Sequence, residues 1–246
     1  MAGHSKWANI RHRKGAQDAK RGKIFTKLIK EITVAVKSGG VDAESNPRLR
    51  LALQNARGQN MPKDTIDRAI KKASGEGAEN YVEATFEGYG PDGIAVFVEC
   101  ATDNNTRTVS NVRSYFKKFN GSLGKDGCLQ FVFDRKGVFL LNAEGLDEDD
   151  FTMEMIDAGA DDVEFNDEHV NVMTEMEDFG SVQKKLHEME IEPIEAGLQR
   201  IPTTMKETNQ SNFQTFMKLI DALEEDDDVQ KVYHNLEFDE ALMADS

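Results

Sequence analysis

Cysteine is scarce: the 246 residues hold two, Cys100 and Cys128, far apart and each in an apolar stretch. Neither belongs to a C-x-x-C pair and no histidine stands at zinc-ligand spacing, so neither a disulfide framework nor a zinc site is expected. Long apolar runs are lacking too. Stretches such as Ile94 to Val98 and Val138 to Leu141 fall far short of the roughly 20 residues of a membrane helix. No apolar segment of the signal-peptide kind follows the charged N-terminus within the first twenty residues, so no secretory signal is expected. Aromatic residues make up 8% of the chain and hydrophobic residues 39%, enough for a core yet outside any membrane or fibrous class. These absences predict a protein of the reducing cytoplasm with two or three modest domains.

What is present is charge, and it is divided. Residues 1–75 carry 17 Lys+Arg against 6 Asp+Glu, a net of +11, while residues 76–246 carry 13 against 39, a net of −26. The first thirty residues hold nine cations (Lys6, Arg11, Arg13, Lys14, Lys20, Arg21, Lys23, Lys27, Lys30) and one acid, Asp18. A basic block of this kind marks contact with a polyanion. Up to Gly22 only Trp7 and Ile10 are large and apolar, too few to offset the entropy of ordering the segment alone. The stretch reads as an arm in which His4, Trp7 and His12 stand among Lys6, Arg11, Arg13 and Lys14, offering stacking and phosphate contacts together. Lys20, Arg21, Lys23 and Lys27 extend the candidate nucleic-acid surface.

Helical spacing follows the arm. Ile24, Leu28, Ile32 and Ala35 form one stripe that stops at Ser38-Gly39-Gly40. Asn46-Pro47 opens a second helix with Leu49, Leu53 and Ala56, and Met61-Pro62 a third with Ile66, Ala69, Ile70 and Ala73. The period then changes. Tyr81 to Glu99 is strand-like and broken by Pro91-Asp92-Gly93, which predicts a hairpin. A helix with Val109, Val112, Phe116 and Phe119 follows, then strands at 129–133 and 137–141. Residues 137–198 read strand, helix, strand, strand, helix, strand, and a long helix (Phe213, Phe216, Ile220, Leu223) and a strand at 229–236 close the chain. The expected class is α+β: a basic helical domain over 1–77, an α/β sandwich over 78–134 plus 204–246, and an inserted ferredoxin-like βαββαβ domain over 135–203. No internal repeat is visible.

Enzyme signatures are weak. Gly88-Tyr89-Gly90-Pro91-Asp92-Gly93 spells G-x-G-x-x-G, but a strand follows where phosphate binding needs a helix N-terminus. Asp147 to Asp150 reads as a helix start, where acids suit the macrodipole, and Asp226 to Asp228 as a solvated turn, so neither is expected to hold Mg²⁺. His169, His187 and His234 form no i, i+4 ligand pair. Lys136-Gly137-Val138-Phe139 faintly echoes an RNA-recognition strand, yet Phe131, Phe133 and Phe139 read as core. Arg107, Arg113, Lys117 and Lys118 share one helix and form a secondary basic patch. No metal, cofactor, small-molecule substrate or membrane partner is expected.

The opening Ala2-Gly3-His4-Ser5-Lys6-Trp7-Ala8-Asn9-Ile10-Arg11-His12-Arg13-Lys14 resembles the signature of the YebC family. So do Asn60-Met61-Pro62-Lys63-Asp64, Thr102-Asp103-Asn104-Asn105-Thr106-Arg107-Thr108-Val109 and Gly121-Ser122-Leu123-Gly124. The resemblance covers essentially the whole chain. It implies a cytoplasmic, non-enzymatic, three-domain protein, long labelled a transcriptional regulator that binds DNA. It also implies an alternative, because mitochondrial relatives are described as translational activators of a cytochrome oxidase subunit. Some bacterial members are associated with ribosomes stalled at proline-rich stretches. DNA, messenger RNA, ribosomal RNA and the ribosome are therefore the candidate partners.

Overall fold

A computed structural model describes residues 17–75 and 79–238, with side chains from residue 22 onward. The chain divides into two compact units: residues up to Val34 with Glu79–Asp134 and the segment from Ile201, and Ala35–Ala78 with Arg135–Arg200.

In the first unit, β1 (Val82–Tyr89) and β2 (Ala95–Thr102) pair antiparallel from Val82↔Thr102 to Tyr89↔Ala95. Their connection is a single 3₁₀ turn, Pro91–Gly93, with Asp92 and Gly93 at positive φ (57° and 75°). The predicted hairpin is there, and the chain runs from the glycine-rich turn into strand β2, not into a helix. Helix α4 (Asn105–Lys118) starts where the Asn104 side chain accepts the Arg107 N–H. Short β3 (Ser122–Leu123), α7 (Gln210–Glu225) and β8 (Val229–His234) complete a sheet of order β3-β1-β2-β8. Val96, Val98 and Cys100 pack on Val112 and Phe116 of α4 and on Phe213, Phe216, Ile220 and Leu223 of α7. Gly88 is needed at that contact, since a Cβ there would lie 2.7 Å from Phe116 Cε1.

The opposite face of this sheet holds a smaller cluster of Ala95, Phe97, Leu129, Phe133 and Tyr233. Its cover corrects one expectation. Residues 129–132 are turns rather than strand, and the strand begins at Phe133. The buried Glu87 carboxylate accepts the Gly127 and Leu129 N–H groups, which a ladder would otherwise use. Phe133 and Phe139 are buried as expected and Leu129 is buried beside Phe133, but Phe131 is 84% exposed.

In the second unit, α2 (Pro47–Gly58) has Asn46 as its cap, accepting the Leu49 N–H, while the Asn46 amide donates to the Ala35 and Gly40 carbonyls. Helix α3 (Lys63–Ser74) buries Ile66, Ala69 and Ala73. The βαββαβ order is β4 (Phe133–Asn142), α5 (Glu148–Asp157), β5 (Ala160–Phe165), β6 (His169–Glu175), α6 (Phe179–Glu188) and β7 (Glu195–Pro202). Its strands lie β5-β6-β4-β7, the arrangement of a split βαβ fold. Phe139, Leu141, Val170 and Val172 pack on Phe151, Met155, Val182 and Leu186. The Asn55 side chain exchanges two hydrogen bonds with the Ala196 backbone (2.8 and 2.9 Å), fixing α2 to β7. Gly58 lies so close that a Cβ would meet the Ile194 carbonyl. The fold class is as the sequence suggested: N-terminal helices, then two antiparallel sheets with helices.

Candidate nucleic-acid interface

Of the arm residues, His4, Lys6, Trp7, Arg11, His12, Arg13 and Lys14 lie outside the described residues. Lys20 and Arg21 lie in α1 (Gln17–Gly39), where only their backbone is described.

From Lys23 onward the basic face of α1 has a definite role within the first unit. Helical spacing puts Lys23, Lys27 and Lys30 in one row. Lys23 Nζ donates to the Glu225 carbonyl (3.0 Å) and Lys27 Nζ to the Glu224 carbonyl (3.2 Å). Both are terminal carbonyls of α7, where unpaired acceptors and the helix dipole favour cations. Lys30 is buried and continues the row, donating to the Asp227 carbonyl (2.7 Å) and to Asp228 Oδ1 (2.9 Å). Its ammonium also stands 5.0 Å from the centre of the Tyr81 ring.

Asp228 corrects the expected solvated turn, because it is 4% exposed. Its second oxygen accepts from Thr102 Oγ1 (3.1 Å), Thr108 Oγ1 (2.9 Å) and Arg107 Nη2 (2.7 Å). Burial pushes the Asp228 carboxyl upward, but hydrogen bonds from Arg107, Lys30 and Thr108 outweigh it and hold the group down at about 2. Arg107 is raised in turn, chiefly by Asp228 and then by Asp103 at 2.7 Å. Asp226 is also engaged: it accepts from Asn111 (3.1 Å) and from Tyr115 (3.0 Å). Burial, then this bond, pushes the Tyr115 phenol up to about 12. The 226–228 run is thus a structural junction of α1, α4 and α7. Among the described residues no group of three or more His, Cys, Asp and Glu could hold a metal ion, and no helix is long and apolar enough to cross a membrane.

The secondary patch divides at this point. Arg107 faces Asp228 and Asp103, whereas Arg113, Lys117 and Lys118 are exposed on α4, whose other face buries Thr108, Val112 and Phe116. Arg113 and Lys117 form no ion pair with a described residue, and Lys118 Nζ lies 5.2 Å from the Phe119 ring centre. Sequence reasoning missed Asp228 as the organiser of these cations. Lys30 and Asp228 are 198 residues apart, and nothing local distinguishes Asp228 from its acidic neighbours.

A two-sheet α+β protein with a cationic N-terminal segment defines the class, and comparison with known proteins supplies the family. Residues 5–76 match the TACO1/YebC protein N-terminal domain and residues 81–236 the TACO1/YebC second and third domain; the chain belongs to the TACO1/YebC family. It is 54% identical over 239 residues to a protein of Amoebophilus asiaticus, covering 96% of this chain and 98% of that one. It is 53% identical over 245 residues to one of Syntrophotalea carbinolica, covering 99% and 98%. Both relatives carry the name "Probable transcriptional regulatory protein". The crystal structure of a conserved hypothetical protein from Aquifex aeolicus is similar with a TM-score of 0.83 and 41% identity, over 91% of this chain and 93% of that one.

Proposed function

We propose that this chain is a non-enzymatic, cytoplasmic, nucleic-acid-binding regulator of gene expression, whose N-terminal segment grips a phosphate backbone. The division of charge carries the reading: +11 over residues 1–75 against −26 over the rest. Residues 1–16 contain Lys6, Arg11, Arg13 and Lys14 and no acid, a density that attracts phosphates and releases their counterions on binding. Trp7 and His4 add surfaces for stacking. The names of the relatives support DNA as the partner and transcription as the process.

A second reading, a ribosome-associated translation factor or translational activator, gains from one observation. The lysine row of α1 is occupied by α7 carbonyls and Asp228, so that face is not available as a recognition helix in a major groove. A grip that reads phosphates without base edges suits structured RNA as well as DNA.

Crosslinking in cells separates the two. Wild type and R11A/R13A/K14A are purified after crosslinking, and the attached nucleic acid is sequenced. Discrete chromosomal sites that vanish in the variant support the transcriptional reading. Ribosomal RNA at one functional centre supports the translational one, and equal recovery by both proteins contradicts the arm.

A further inference from the structure

Phe131 is the most exposed of the large apolar side chains among the described residues, at 84% against 65% for Met153. Its backbone, by contrast, is firmly held. Glu87 accepts the Gly127 N–H (3.0 Å) and the Leu129 N–H (2.6 Å), and its own carbonyl accepts the Gly124 N–H (2.7 Å). Three successive turn bonds follow, Cys128 to Lys125, Gln130 to Gly127 and Val132 to Leu129. Thr203 closes the far side: its hydroxyl donates to the Phe131 carbonyl (3.1 Å) and its N–H to the Val132 carbonyl (2.9 Å). Leu129, two residues before the ring, is 1% exposed within the Phe97, Phe133 and Tyr233 cluster. The loop is therefore anchored on both sides of a ring that it turns outward.

An aromatic ring held outward on an anchored loop loses little conformational freedom on binding, which suits a stacking platform. Its exposed neighbours in the loop are Lys125, Asp126, Cys128 and Gln130, with Thr203 and Thr204 beside them. Lys125 offsets Asp126, and the amide and hydroxyls can serve base edges, ribose and phosphate. A protein-docking hot spot would instead sit among other apolar groups that exclude water. Here Tyr89, 37% exposed, reaches the loop through its hydroxyl, which donates to the Cys128 carbonyl.

We propose that Phe131 is a stacking platform for an unpaired base, so that the nucleic acid this protein takes is single-stranded or looped at the Phe131 contact. The inference rests on the nucleic-acid reading above and narrows its substrate class. A base inside a duplex is already covered on both faces and offers Phe131 nothing.

The test is fluorescence anisotropy of full-length wild type, F131A and F131W with one mixed sequence. That sequence is supplied as single-stranded RNA, single-stranded DNA and duplex DNA, over a range of salt. F131A should bind single strands weaker by on the order of 10- to 100-fold, with duplex affinity and salt slope unchanged, and F131W should bind as wild type does. Loss on RNA alone supports a base contact joined by one to the ribose; loss on both strands supports the base alone. Wild-type affinity of F131A for single strands, or equal loss on duplex, overturns the platform while leaving the cationic grip in place. Retained nucleic-acid binding with loss of a protein partner would assign the ring to protein docking and equally overturn it. Wild type that binds none of the three with a salt-dependent affinity overturns both readings.

Discussion

Helix α1 lines up Lys23, Lys27 and Lys30, and helix α4 lines up Arg113, Lys117 and Lys118, in the same unit and with the same charge. The first row meets the Glu224, Glu225 and Asp227 carbonyls and the Asp228 carboxylate. The second row stays exposed. A cation's sequence neighbourhood therefore does not say what it serves. What decides is whether a helix C-terminus or a buried acid is folded against it, since such acceptors hold a cation that would otherwise be free for phosphate.

Substitutions can break this contrast, beginning with Asp228. In D228N the Lys30 ammonium stays buried without its counter-charge, and breaking a buried pair of this kind costs about 3–5 kcal/mol. Chemical denaturation of wild type and D228N at neutral pH measures the difference. The loss should also depend on acid. The folded-state pKa of Asp228 lies at about 2, below an unfolded carboxyl near ~3.9. Its stabilisation is therefore complete above about pH 4 and lost as pH falls towards 2. The gap between the two proteins should narrow across that window, and a gap constant from pH 5 to 2 would remove Asp228 as the charged partner.

The exposed row should behave in the opposite way. R113A/K117A/K118A is expected to leave stability within about 0.5 kcal/mol of wild type. If α4 meets phosphates, the same variant lowers the salt slope of binding by roughly one for each cation engaged. Titrations at several salt concentrations, beside a thermal melt, read both. K23A and K27A should each lose about 0.3–1 kcal/mol through the α7 terminus, with no change in slope.

Much of the architecture was legible because periodicity carries it. Alternation and turn chemistry marked the β1–β2 hairpin, and the change of period located the βαββαβ segment. Asn46-Pro47 announced a helix start that the structure has. Leu129, Phe131 and Phe133 alternate like a strand, and there the pattern misled. The N–H groups of that segment are taken by Glu87, about forty residues earlier in the chain, so the segment curls and Phe131 turns outward. Gly124 and Gly127, just before the run, were the available signal of a loop. The acids at 147–150 and 226–228 look alike in sequence and differ in structure. Asp147 caps α5 by accepting the Asp150 N–H, whereas Asp228 is buried among partners from α1, β2 and α4. Long-range partners of this kind leave no local trace.

The claim at the centre is that phosphate contact belongs to the N-terminal segment while the α1 lysine row is structural. The most direct measurement is the salt dependence of duplex binding for wild type, R11A/R13A/K14A and K23A/K27A. With about five phosphates neutralised, the wild-type slope should be roughly −4 to −5, and the arm variant should flatten it by up to about three. K23A/K27A should leave it as it is. A flattened slope in K23A/K27A with an unchanged one in the arm variant would contradict the account and move the interface to α1.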